Sequence, residues 1–125
     1  MFMTDAREDK SRPKLRILLG SAVALGPGKV ALLEAVDKSG SITGAARYMG
    51  MSYRRAWKLI EAMNNDFKVP LIATSSGGRG GGGALVTKAG FDALNRYRSM
   101  ETKAGQAVEK EISDFADLLK TAKSS

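Results

Sequence analysis

Three basic side chains, Arg54, Arg55 and Lys58, fall in the first two turns of a helical pattern, SYRRAWKLIEAMNNDF, over residues 52–67. The helix dipole does not account for them, because it favours acidic groups at that end. An exposed helix that starts basic suits an anionic partner, and the N-terminal residues of such a helix reach base edges when it lies in a DNA groove. The alternative is a solvated charged face on an ordinary helix. A second concentration of unusual chemistry is GGRGGGG, Gly77 to Gly83, six glycines around Arg79. Gly78, Gly80 and Gly83 satisfy G-x-G-x-x-G, but a dinucleotide fingerprint needs a helix directly after the loop, and Ala84 to Thr87 reads as strand. No Gly-Lys-Ser/Thr follows, so a Walker loop fails as well. Three readings remain: a wing tip that sets Arg79 against phosphate or in a minor groove, a flexible connector, and a pocket of backbone amides for a small anion.

Other chemistry is excluded by composition. The chain has neither cysteine nor histidine, which removes disulfides, thiolates, Cys/His zinc sites and Ser-His-Asp or Cys-His nucleophiles. No two carboxylates share a setting that would raise one pKa, so an enzyme is not expected, and neither is a cofactor or a metal. No apolar run approaches the ~20 residues of a membrane span. Acids before the apolar residues 15–27, and Arg16 at their start, argue against a signal peptide and for a cytoplasmic, nucleoid-associated protein.

The elements that must position the basic residues can be read outward from them. Thr43 is a candidate N-cap for a helix through Ala45, Ala46 and Met49, Gly50 a left-handed C-terminal residue, and Ser52 the cap of the next helix. Two helices joined by so short a turn make a helix-turn-helix. Ala56, Ile60, Met63 and Phe67 form the buried stripe of the second helix, with Trp57 beside it in the core. Arg54, Lys58, Glu61 and Asn65 form its open face. Upstream, residues 15–25 predict a strand in their first half, and a helix from Pro27 to Gly40 carries Val30, Leu33, Ala35 and Val36 inward. Downstream, Leu71 to Thr74 and Ala84 to Thr87 predict two short strands joined by the glycine-rich loop. Thr87 then caps a last helix, with Phe91, Ala93 and Leu94 facing the domain. On it Tyr97, Met100, Ala104, Val108, Ile112, Phe115 and Leu119 make one apolar stripe. Unbroken, that helix would be about 50 Å long, and a second copy of the chain is the natural cover for the stripe.

Charge supports the grouping. The 125 residues carry a net charge of +7, and +6 of it lies between Gly40 and Ser99. An excess gathered around a helix-turn-helix and wing is the footprint expected of a nucleic-acid binder.

The segments GSITGAARYMGMSYRRAWKLIEAMN and GGRGGGGALVTKAG resemble the N-terminal DNA-binding domain of ModE-type molybdate-responsive transcription regulators, which share a LysR-like winged helix. The resemblance covers about Leu15 to Met100. It implies that Ser52, Tyr53, Arg54, Arg55 and Lys58 lie on a recognition helix in the major groove, that Arg79 is the wing-tip cation, and that the C-terminal helix dimerises. It further implies control of molybdenum-uptake or molybdenum-enzyme genes. Full-length members continue into molybdate-binding domains, whereas this chain stops at Ser125, so the resemblance carries no molybdate site onto it and molybdate binding is not expected from this chain alone.

The expectation is thus a mainly α fold with a small β wing, a winged helix-turn-helix plus a long C-terminal dimerisation helix. Residues 1–14 form a mobile tail, 15–98 the DNA-binding domain and 99–125 the rest of the dimerisation helix. Thr43, Ser52, Tyr53, Arg54, Arg55, Lys58, Arg79 and Lys88 are expected to meet double-stranded DNA, as a homodimer and without a membrane. The competing expectations are a non-specific architectural DNA binder and an oxyanion sensor using the Gly77 to Gly83 loop.

Overall fold

A computed structural model describes residues 17–19, 22–75 and 83–120. The 1–14 tail, Arg79 and all of the glycine-rich loop except Gly83 lie outside the described residues. Two compact units are present, Arg16–Tyr97 and a second that holds the residues from Arg98 onward.

The first unit opens with an antiparallel hairpin, β1 (Ile17–Leu19) and β2 (Ala22–Leu25), with a bulge between Ile17 and Leu18. A strand in the first half alone was too little. The run holds two strands that pair with each other, Leu19 opposite Ala22. Helix α1 (Pro27–Ser39) starts with Pro27 in its first turn, where a missing N–H costs nothing. It ends at Gly40 with φ 75°, in the left-handed region that glycine enters freely. Val30, Leu32, Leu33, Ala35 and Val36 are all buried, and the next two helices pack against this one.

Helices α2 (Ile42–Met49) and α3 (Tyr53–Asn65) are the helix-turn-helix. Ser41, not Thr43, caps α2: its Oγ accepts from the Gly44 N–H at 2.9 Å, while Thr43 lies inside the first turn and is exposed. The turn is closed by a pair of bonds from beyond the helix end, Gly50 N–H to the Arg47 carbonyl at 3.2 Å and Met51 N–H to that of Ala46 at 3.0 Å. With Gly50 at φ 70°, this is a Schellman ending. Ser52 caps α3 two residues later by accepting from Arg55 N–H at 3.1 Å. Ala56, Ile60 and Met63 fill the core, as the spacing predicts, and Phe67 is half-buried beyond the helix end. Trp57 is a correction, since it is 42% exposed. At about 100° per residue it stands well off the axis of the buried stripe, which Ala56, Ile60 and Met63 already occupy.

Strands β3 (Ile72–Thr74) and β4 (Ala84–Val86) pair antiparallel, Ile72 with Val86 and Thr74 with Ala84. Ile72, Ala84 and Val86 point inward. Helix α4 (Lys88–Ala107) is capped by Thr87, whose Oγ1 accepts from Gly90 N–H at 3.0 Å. Tyr97 is its anchor, fully buried, whereas Phe91 is 40% exposed rather than facing the domain. Phe91 falls about 100° away from the line joining Gly90 and Tyr97.

In the second unit the apolar stripe is not carried by one rod. The helix breaks at Val108 (φ −116°, ψ 20°) and resumes as α5 (Glu109–Ala116), because Gly105 and β-branched Val108 lower helix propensity through that turn. Met100, Val108, Phe115 and Leu119 are exposed and Ala104 and Ile112 half-buried, but Tyr97 is buried and so withdrawn from any seam between copies. Among the described residues no helix is long and apolar enough to cross a membrane.

Candidate nucleic-acid interface

Presentation of α3 begins with its two ends. The Gly50 turn and the Ser52 cap settle where the helix starts, and Asn64 settles where it stops relative to the β-hairpin. The Asn64 Oδ1 accepts from Leu71 N–H at 2.9 Å and Ile72 N–H at 3.2 Å, and its Nδ2 donates to the Ile72 carbonyl at 3.0 Å. Lys29 of α1 adds an ion pair to Asp66 at the end of α3, 3.6 Å. The other edge of the hairpin is tied to the loop between α1 and α2, with Ala84 N–H donating to the Gly40 carbonyl at 2.9 Å. The β3–β4 pair is therefore tied both to the end of α3 and to the loop that precedes α2.

The start of α4 completes the frame. Thr87 N–H donates to the Leu71 carbonyl at 2.9 Å, and the Thr87 hydroxyl donates to Pro70 O at 2.7 Å. Its proton is thereby used, so Thr87 is a structural residue rather than a donor to an outside phosphate. A Cβ on Gly90 would collide with the same Leu71 carbonyl oxygen. The T-K-A-G sequence is thus a packing signature: a cap, and a glycine where a helix lies directly on backbone.

On this frame Ser52, Tyr53, Arg54, Arg55 and Lys58 are all exposed. None of Arg54, Arg55 and Lys58 has an ion pair among the described residues. Arginines elsewhere do: Arg96 bonds Asp92 at 3.0 Å and Arg98 bonds Glu101 at 2.9 Å, both on α4. Arg47, on the exposed side of α2, joins the unpaired set. Lys38, at the end of α1, stands 5.6 Å from the centre of the Tyr48 ring, a cation–π arrangement at the surface. Thr43 is exposed on α2, whereas Lys88 is exposed at the start of α4, beside the Thr87–Leu71 junction and off the helix-turn-helix. A capped helix with uncompensated cations in its first two turns can bind phosphates and donate to the acceptor atoms of bases.

Sequence reasoning missed Asn64, Ser41 and the exposure of Trp57. For Asn64 a signal existed: two asparagines in the last turn of a helix are poor helix formers, and such residues are placed where they bond backbone.

A family model described as a bacterial regulatory helix-turn-helix protein of the lysR family matches residues 28–91. The chain is 38% identical over 99 residues to the molybdenum-pterin-binding protein MopB of Rhodobacter capsulatus, covering 79% of this chain and 35% of that protein. It is 38% identical over 87 residues to the molybdenum transport protein ModE of Azotobacter vinelandii, covering 70% and 32%. To the DNA-binding transcriptional dual regulator ModE of Escherichia coli (strain K12) it is 35% identical over 83 residues, covering 66% and 32%. The chain spans about a third of the length of these relatives.

Proposed function

The chain belongs to the lysR family of bacterial regulatory helix-turn-helix proteins, and on that premise we propose that it is a sequence-specific transcription regulator that binds duplex DNA as a homodimer. One observation carries the reading. Arg54, Arg55 and Lys58 are exposed, and without an ion pair among the described residues, at the start of a helix whose position is set at both ends.

Each protomer places α3 in a major groove, with half-site centres about 34 Å apart or a multiple of it. Arg54, Arg55 and Lys58 divide between guanine edges and phosphates. Thr43, Ser52, Tyr53 and Lys88 add contacts from the neighbouring surface, and Arg79 brings a further cation for phosphate. Met100, Val108, Phe115 and Leu119 meet a second copy, with Ala104 and Ile112 behind them. The relatives, a molybdenum-pterin-binding protein and a molybdenum transport protein by name, point to genes of molybdenum uptake or molybdenum enzymes as the target, read in the cytoplasm at the nucleoid.

Competition tests the reading. A duplex enriched from a random pool by the full chain should resist random duplex by a factor of about 10³ or more. A factor near one would instead make the protein an architectural DNA binder. In the same preparation Phe115→Glu should move the sedimenting species from dimer to monomer, because a charge has no partner in an apolar seam. A Phe115→Glu chain that stays dimeric removes the C-terminal seam from the proposal.

A further inference from the structure

Trp57 is the only tryptophan in the chain, yet it is 42% exposed, and Tyr53, one turn before it on α3, is 52% exposed. Neither makes a hydrogen bond or ring contact among the described residues. A tryptophan buries more apolar surface than any other side chain when it packs, and α3 has a filled core stripe that does not use it. The two rings fall about 40° apart around the helix, with Arg54 about 60° further round and Lys58 beyond it. An apolar strip therefore borders the cationic face and shares its orientation.

A partner that covers this strip together with the cationic face beside it must be anionic and must also present apolar groups. A second copy meets the first condition poorly, because the segment Gly40 to Ser99 carries +6. The major groove meets both: phosphates flank it, and the C5-methyl of thymine is its apolar feature. We propose that Tyr53 and Trp57 read thymine by packing their rings against its C5-methyl group, while Arg54, Arg55 and Lys58 supply the polar and ionic contacts. The inference rests on the duplex-binding reading above and adds a base preference to it. Trp57 becomes a specificity residue, and its exposure in the free chain is the unfilled half of that contact.

The test uses the full chain and a duplex enriched by it from a random pool, with each thymine replaced singly by deoxyuridine, which lacks only the methyl. At one or more positions the wild type should weaken about fourfold, the factor carried by burying one methyl-sized group. Trp57→Ala should bind the thymine and deoxyuridine duplexes equally at one or more positions that the wild type discriminates, and the double variant Tyr53→Ala/Trp57→Ala at all of them, while Trp57→Phe, which keeps a ring, should retain most of the difference. Because the chain has one tryptophan, its emission reports this side chain in the unaltered protein and should change on saturation with duplex. Neutral replacement at every thymine, equal discrimination in Trp57→Ala, or an unchanged emission each overturns the proposal. Failure to enrich any duplex is a different result: it removes the DNA-binding reading, and the thymine contact falls with it.

Discussion

Asn64 grips Ile72 by both of its backbone polar groups, accepting from its N–H at 3.2 Å and donating to its carbonyl at 3.0 Å. A single carboxamide thus sets the register between the end of α3 and strand β3. Those two groups, and the Leu71 N–H that shares the same oxygen, are part-buried, so little water can take the side chain's place. Asn64→Ala should lower the unfolding free energy by about 2 kcal/mol, read as a lower denaturant midpoint at constant slope. Asn64→Asp should not rescue it, because a carboxylate oxygen would then face the Ile72 carbonyl.

Two glycines in helices should respond in opposite directions. A Cβ on Gly90 would strike the Leu71 carbonyl and stand 2.6 Å from Val86 Cγ1, while one on Gly28 would meet nothing within 4 Å. Gly28→Ala should stabilise the chain by about 0.5–1 kcal/mol. Gly90→Ala should destabilise it by about 1–3 kcal/mol, overpacking outweighing the better helix propensity of alanine. Thermal unfolding of the two variants side by side measures the contrast.

The caps give a second paired comparison. Ser41→Ala removes the acceptor for Gly44 N–H and should cost about 1 kcal/mol. Thr43→Ala, at an exposed position within the first turn, should stay within about 0.5 kcal/mol of the parent. Equal losses at both positions would return the cap to Thr43.

What the sequence disclosed follows from which residues act locally. Gly40, Gly50 and Ser52 are dictated by chain geometry within a few positions, and a turn that needs φ > 0 selects glycine wherever it occurs. The period of Ala56, Ile60 and Met63 is equally local. Asn64 was legible only as a poor helix former near a helix end, because its partners lie seven and eight residues away across a turn, where no helical or strand period connects them. Trp57 was misread because composition alone assigns tryptophan to a core, while the wheel position that excludes it is fixed by the neighbours already filling that core. The break at Val108 shows the converse: a stripe of apolar residues can hold its spacing through a point where the backbone leaves the helix. Gly105, three residues earlier, and β-branched Val108 itself are the local hints of it.

The central claim, that the open face of α3 is the surface that meets duplex DNA, is tested most directly by the salt dependence of binding in single alanine variants. Arg54, Arg55 and Lys58 are the test positions, and Arg96, held by Asp92 at 3.0 Å, is the control. A residue on phosphate should flatten the slope by about one unit across all sequences, and one on a guanine edge should cost about 1–3 kcal/mol and relax the preference at one base pair. Arg96→Ala should do neither. If affinity and slope are unchanged in all three α3 variants, or fall equally in Arg96→Ala, the recognition surface lies elsewhere on the chain.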